Sequence, residues 1–371
     1  MMRSAVLAGL VVAGSAGVSE AITQAEIQEI VAAEIHQELT AAGAGAAVAV
    51  RVNGQTFFFN FGWADRARKQ LVTSDSLFNL GSVSKVFDTT LLSLAVSHGD
   101  VKLEDTITKY IPELQGGGDI SRVTLGQLAT FTSGFSLPQD HPPWPPAHYT
   151  WRKFIRELKT WKIDPFFEPG KHYVYSHAGF LLLHVALERR FGTPYSALLK
   201  QRLLRTLGLS STTLPRRGKN SVALLEPSLK GRAVQGYSGD GKPIGRPANV
   251  QGYYHWPGTE QMFSSARDMA AFMAAQLSEL QIDSALREAI DLSHRPVASI
   301  RPGVLQAQAW EVHRGAETII GKNGGLNNAS SFIGISPGKQ NGIVILMNRG
   351  ELNLWDLGYA ILSRLSEAEN P

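Results

Sequence analysis

The sequence predicts a mixed α/β protein of the α+β kind: one antiparallel sheet, flanked by the terminal helices, carrying a mostly helical lobe. Three observations predict it. A helical pattern and a hairpin open the chain. Three strand patterns and a helix close it. Between them lies a long stretch of helical periodicity. With 371 residues, 43% hydrophobic and 18% charged, the chain has material for a large core and two lobes. Lys+Arg 36 against Asp+Glu 32 leaves a net charge of +4. The densest basic cluster, Arg216-Arg217-Gly218-Lys219, reads as a solvated loop, so nucleic acid is not an expected partner. The absence of cysteine excludes disulfides, thiolate zinc sites and thiol catalysis, and it suits an oxidising compartment.

The elements follow in chain order. Met1-Met2-Arg3, an uncharged apolar stretch from Ser4 to Val18, and Ser19-Glu20-Ala21 read as a signal peptide (residues 1–21) cut after Ala21. The stretch is shorter than the roughly 20 residues of a membrane span. A soluble, periplasmic protein of residues 22–371 is therefore expected, without stable membrane insertion and acting as a monomer. Ile27, Ile30, Val31, Ile35 and Leu39 recur at helical spacing and predict a helix over 23–40, ended by Gly43 and Gly45. Residues 46–52 and 55–61 read as strands joined by Asn53-Gly54, a strong hairpin signal. Helices are expected near 84–98, 124–131, 150–160, 177–191, 194–207, 265–279 and 283–293. Pro138, Pro142, Pro143, Pro145 and Pro146 make 138–146 a stiff loop, and 214–258 reads as irregular. Residues 317–322, 331–336 and 342–347 read as strands, with Pro337-Gly338 starting the last turn, and 352–365 as a helix. Strands from both ends can share one sheet. This places an α/β lobe at about 22–78 and 296–371 and a helical lobe at about 79–295, with a groove between them as the place for a site.

Three short motifs carry chemistry. In Ser82-Val83-Ser84-Lys85 a helix would set Lys85 one turn above Ser82, giving a weak hydroxyl nucleophile its partner, and the helix N-terminus favours a developing oxyanion. Alone, this spacing is a weak signal that recurs by chance, and its ordinary reading is an N-cap serine and a surface lysine. In Tyr173-Val174-Tyr175-Ser176-His177, a tyrosine near two lysines would gain phenolate character. In Lys322-Asn323-Gly324-Gly325, a strand lysine can hold a substrate carboxylate while backbone N–H groups face the reacting carbonyl.

Taken in order, these three motifs resemble the S-x-x-K, Y-x-N and K-T-G motifs of the serine β-lactamase and penicillin-binding protein superfamily, most like class C β-lactamases. The similarity extends to Leu77–Gly81, Leu103-Glu104-Asp105, Tyr110–Leu114, Gln127–Gly134 and Gly342–Asn348, and covers nearly all of residues 22–371. The resemblance implies a β-lactamase/transpeptidase-like fold and no cofactor. It implies that Ser82 is acylated and that Lys85 and Tyr175 move its proton, Tyr175 protonating the leaving nitrogen. It implies an oxyanion hole from the N–H groups of Ser82 and Gly325. Lys322 would support Tyr175 and attract a carboxylate, and Gly324 belongs to the same substrate-binding stretch. Gln139 matches a glutamine contacting the substrate side-chain amide, and Asn353 an asparagine near the carboxylate site.

Two positions depart from the pattern. Asn323 stands where the family has the threonine of K-T-G, and His177 where Y-x-N has its asparagine. An imidazolium beside Lys85 and Lys322 would be repelled, so activity is expected to fall toward acid pH. His177 is also a candidate zinc ligand, with His141, His148, His172 and His255 as partners, although none has a standard zinc spacing. The expected function is β-lactam hydrolysis through acyl-Ser82, with carbapenems among the candidate substrates. The alternatives are a D-alanyl-D-alanine carboxypeptidase or endopeptidase on peptidoglycan peptides, a related esterase, or a non-catalytic binder of cell-wall fragments.

Overall fold

A computed structural model describes residues 22–40, 43–135, 137, 150–218, 222–249 and 262–368. The expected signal peptide and the proline-rich loop with Gln139 lie outside these residues. The first elements are α1 (Gln24–Thr40), β1 (Gly45–Val52), β2 (Gln55–Asp65), β3 (Gln70–Leu71), β4 (Phe78–Asn79) and α2 (Ser84–Ser97). The helical lobe continues with α3 (Leu125–Ala129), α4 (Trp151–Thr160), α5 (His177–Phe191) and α6 (Tyr195–Leu199). Five two-residue strands follow, β5 (Arg216–Arg217), β6 (Ala223–Leu224), β7 (Gly236–Tyr237), β8 (Pro243–Ile244) and β9 (Phe263–Ser264), and then α7 (Ala266–Gln276) and α8 (Ser284–Ser293). The chain returns to the sheet through β10 (Ala298–Arg301), β11 (Val304–Gln306), β12 (Glu311–Arg314), β13 (Thr318–Gly325), β14 (Ser330–Ser336) and β15 (Asn341–Met347), and closes with α9 (Trp355–Ala368).

The nine-stranded sheet has the order β10-β11-β12-β13-β14-β15-β1-β2-β3, with antiparallel pairing throughout. The two chain ends meet where β1 pairs β15, Val48 facing Ile345 and Val50 facing Ile343. Both faces of the central strands are covered, which is why β14 and β15 are buried along their whole length and β15 reads as a nearly unbroken apolar run. Val48, Val50, Ile343 and Ile345 pack with Ile27, Val31, Ile361 and Leu365 of the terminal helices. Ala47, Ala49, Val344 and Leu346 face Phe87, Met269, Phe272 and Met273 of the helical lobe. Close approach needs small residues. A Cβ on Gly358 would stand 2.1 Å from the Phe332 ring, so α9 can lie on the sheet only with glycine there.

The structure bears out the fold class and refines the boundaries. Asn53 and Gly54 both take positive φ, 51° and 75°, as the tight two-residue hairpin requires. Gly45 opens β1 rather than ending the first helix. The helix expected over 194–207 ends at Leu199 and continues as a widened turn, Lys200–Leu204. The last helix starts at Trp355, not at residue 352, because Asn353 turns back to accept from the Trp355 N–H at 3.2 Å. The stretch expected to be irregular holds β5 to β8. Strands β10 to β12, which the pattern reading leaves unassigned, extend the sheet. They are three or four residues long and only partly buried, too short for a period to show.

Candidate active site

The site forms where the helical lobe meets the end of β13. Leu80 leaves β4 and is pinned on both sides: its N–H donates to the Met262 carbonyl at 2.9 Å, and its carbonyl accepts from the Ser331 hydroxyl at 2.7 Å. Asn79 Oδ1 accepts from the Gly81 N–H at 3.0 Å, and Gly81 takes φ +49°. The chain then enters a 3-10 turn, Gly81–Val83, which leads directly into α2. Ser82 therefore sits at a helix N-terminus, half-buried, on a turn held by side chains from two other elements. Helix α2 is buried on all sides from Ser84 to Ala95, so it offers a fixed platform.

Lys85 is one turn on and fully buried. Its Nζ is 5.2 Å from the Tyr175 ring centroid and 5.5 Å from that of Phe180. Tyr175 arrives from the segment before α5, whose N-cap is Ser176, accepting from the Gly179 N–H at 3.0 Å. The phenol oxygen of Tyr175 lies 2.6 Å from Ser82 Oγ. Lys322 of β13 is 3% exposed, with Nζ 5.3 Å from the same ring. Two buried ammonium groups thus flank one phenol. Such a charge is expensive to bury without a counter-charge. Glu311 supplies one, its Oε1 3.7 Å from Lys322 Nζ. Burial alone would raise the Glu311 carboxyl, but the His313 imidazole and then the Lys322 charge outweigh it and hold the group below the usual range. Burial and this same carboxylate push the neighbouring Tyr173 phenol well above its ordinary value, so of the two tyrosines Tyr173 is kept neutral.

The backbone of β13 closes on the serine turn. A Cβ on Gly324 would stand 2.3 Å from the Leu80 carbonyl oxygen and 3.0 Å from the Ser82 nitrogen, while one on Gly81 would stand 3.3 Å from the Gly325 nitrogen. The N–H groups of Ser82 and Gly325 therefore belong to one wall, beside the helix N-terminus. Asn323 Oδ1 accepts from the Leu354 N–H at 2.8 Å, which ties its carbonyl end to the last helix and leaves the Nδ2 end as the one able to meet an anion. Asn353 is exposed, one residue from that contact, with its Oδ1 turned to Trp355. His177 begins α5, 7% exposed, with its ring edge-on to Tyr175 at 5.1 Å.

The structure thus brings Ser82, Lys85, Tyr175, His177, Lys322, Gly324 and Gly325 together, with Asn323 between Lys322 and Gly324 on β13 and Asn353 beside the Leu354 N–H that Asn323 accepts from. Gln139, His141, His148 and His255 lie outside the described residues. Among the described residues no group of three His, Asp or Glu side chains is placed to hold a metal. No helix of the described residues is long and apolar enough to cross a membrane. Two residues at the site carry no signal in the motif spacing. Glu311 reaches Lys322 only through strand pairing, where it faces Gly321. Phe131 stacks on Tyr175, centroids 4.5 Å apart. A hydroxyl, a phenol at hydrogen-bond distance, two buried cations and a pair of wall N–H groups make a constellation for nucleophilic acyl transfer.

Known proteins share this arrangement of sequence and fold. A β-lactamase from Pseudomonas fluorescens is 27% identical over 359 residues, covering 87% of this chain and 94% of that one. A β-lactamase from Lysobacter lactamgenus is 28% identical over 358 residues, covering 88% and 86%. Among solved structures, a β-lactamase from Sulfitobacter sp. EE-36 superposes with a TM-score of 0.80 at 23% identity, covering 94% of this chain and 99% of that one. A protein described as a β-lactamase/D-alanine carboxypeptidase from Pseudomonas syringae superposes with a TM-score of 0.78 at 25% identity, covering 91% and 98%. The family model for β-lactamases matches residues 27–356, a span that takes in the serine turn, the Tyr175 segment and the end of β13; the chain belongs to the β-lactamase family.

Proposed function

We propose that this protein is a serine β-lactamase of class C type that opens the β-lactam amide through an acyl-Ser82 intermediate. The observation that carries the reading is the 2.6 Å contact between Ser82 Oγ and the Tyr175 phenol oxygen, flanked by Lys85 and Lys322. Tyr175 takes the serine proton as Oγ attacks the lactam carbonyl carbon. The carbonyl oxygen becomes an oxyanion against the N–H groups of Ser82 and Gly325. The C–N bond then breaks, and the proton passes from Tyr175 to the departing nitrogen. A water repeats the cycle on the ester, giving its proton to Tyr175 and its oxygen to the acyl carbon, and Ser82 Oγ leaves reprotonated. Proton transfer of this kind contributes about 10²–10⁴-fold, and an oxyanion donor a similar factor. Lys322 and the Asn323 amide face the substrate carboxylate.

His177 in place of the usual asparagine favours substrates that ask little of an amide-binding group, carbapenems among them. Export to the periplasm through residues 1–21 is part of the same proposal. The test is hydrolysis of a penicillin, a cephalosporin and a carbapenem by residues 22–371, beside Ser82→Ala, with mass spectrometry of the acylated protein. Turnover absent from the variant is expected, with a carbapenem-to-cephalosporin kcat/KM ratio that rises relative to an enzyme bearing asparagine at that position. A penicillin adduct that persists for hours would instead favour the carboxypeptidase reading, to which the Pseudomonas syringae structure lends support.

A further inference from the structure

Phe131 occupies a backbone position that disfavours it. Helix α3 ends in a Schellman motif: the Phe131 N–H bonds the Leu128 carbonyl at 3.4 Å, and the Thr132 N–H bonds the Gln127 carbonyl at 2.9 Å. The residue between takes φ +54°. Glycine is the usual occupant there, since a side chain in the left-handed region costs about 1 kcal/mol or more. The structure instead has a bulky aromatic, 1% exposed. A strained residue that persists near a reaction centre points to a function for its side chain.

The ring shows what that function is. It stacks on Tyr175 with centroids 4.5 Å apart and planes 22° from parallel, and it is backed by Phe180 at 5.0 Å. Lys322 Nζ lies 5.3 Å from the Phe131 centroid and 5.3 Å from that of Tyr175. Being equidistant, the ammonium caps the seam of the stacked pair. The Phe131 backbone acts on the same segment, its carbonyl accepting from the Val174 N–H at 2.7 Å.

We propose that Phe131 is a positioning residue for the acyl-transfer site, its left-handed backbone aiming the ring so that one aromatic stack fixes both the Tyr175 phenol over Ser82 and the Lys322 ammonium beside it. The proposal rests on the reading of Tyr175 as the proton carrier. It predicts that a side chain of similar bulk without a flat ring fills the space but releases the pair.

The experiment uses Phe131→Leu, Phe131→Tyr and Phe131→Met, each compared with its own Tyr175→Phe counterpart, so that the difference in phenolate absorbance isolates the ionisation of Tyr175. Among the described residues, the charged and titratable groups around that phenol are Lys85 on α2, Lys322 on β13 with its partner Glu311 on β12, His177 on α5 and Tyr173 on its own segment. All are unchanged in every variant. Phe131→Leu is expected to move the midpoint up by roughly 0.4 pH unit. Coulomb's law gives this shift when an ammonium near 5 Å retreats by about 1 Å at an effective dielectric constant near 20. It is also expected to lower kcat about tenfold with KM little changed, while Phe131→Tyr restores both values. A leucine variant with the parent midpoint and a lowered melting temperature overturns the proposal, because a purely structural residue gives that result. If the leucine variant does not fold, Phe131→Met answers instead: the parent midpoint overturns the proposal and a raised one supports it. The titration uses no substrate, so it stands or fails separately from β-lactam turnover.

Discussion

The contact between β13 and the serine turn makes a sharp demand on the first of two adjacent glycines, Gly324, and little on the second, Gly325. An alanine Cβ at position 324 would meet the Leu80 carbonyl oxygen at 2.3 Å and Ser331 Oγ at 2.5 Å, and would stand 3.0 Å from the Ser82 nitrogen. The first and third of these are backbone atoms, and Leu80 is already tied to Met262 and Ser331. The clash therefore has no flexible side chain to absorb it. Relief requires the serine turn and the strand to part by about 1 Å, a misplacement that can cost 10²-fold in rate. Overpacking of this size also destabilises by about 1–3 kcal/mol. At position 325 the nearest atom to a new Cβ is the Leu352 carbonyl oxygen at 3.8 Å, an ordinary contact. Gly324→Ala is therefore expected to lose about 10²-fold in kcat on a chromogenic cephalosporin and to melt a few degrees lower. Gly325→Ala is expected to stay within about threefold of the parent in both rate and stability. Equal activity in the two variants, or a greater loss at 325, would refute the reasoning, because the close approach of Gly324 to the nucleophile turn would then not govern the site.

Three further outcomes follow from particular contacts. Tyr175→Phe removes the 2.6 Å partner of Ser82 and is expected to lower kcat by about 10²–10⁴-fold; a loss under tenfold in a steady-state assay would assign the proton to another group. Tyr195→Phe deletes the 2.6 Å hydrogen bond to buried Asp88, beside His184 whose Nε2 stands 2.9 Å from the same carboxyl without hydrogen-bond alignment. This should cost about 2 kcal/mol in urea unfolding while activity persists, and an unchanged unfolding midpoint would count against it. His294 retains a partly exposed edge, but its Nε2 is sealed from solvent near Trp310, and burial pushes the imidazole down to about 4. Below about pH 6.5 the unfolded chain takes up a proton that the native ring refuses, so stability falls as pH drops toward 4 and then levels off. The loss is about 1–3 kcal/mol once the exposed edge is allowed for. His294→Leu is expected to remove that slope, and melting temperatures that run parallel to the parent across this window would contradict it.

Much of this protein is legible in its sequence because much of it is local. Apolar spacing marks α1 and the long helices, and Asn53-Gly54 marks the first hairpin because only residues that tolerate positive φ make that turn. The continuous apolar run of β15 signals a strand covered on both faces. Ser82, Lys85, Tyr175 and Lys322 stand out through the order of their motifs, although the spacing of each alone is weak. Other features exist only once the chain is folded. Strands β10 to β12 are too short and too exposed to show a period. The widened turn at Lys200–Leu204 interrupts a pattern that reads as one helix. Glu311 becomes the counter-charge of Lys322 through strand register, which places β12 beside β13. Phe131 sits where local preference calls for glycine, because its ring meets Tyr175 and Lys322, which come from distant parts of the chain. Asn323, read as a binding amide, spends its carbonyl on the Leu354 N–H because the last helix starts against the end of β13. Local chemistry thus determined which elements form and which residues are candidates for the proposed reaction. Packing between elements remote in sequence decided how those residues are aimed, since hydrogen-bond distance, charge compensation and aromatic stacking are set across strands and lobes that no short window of sequence contains.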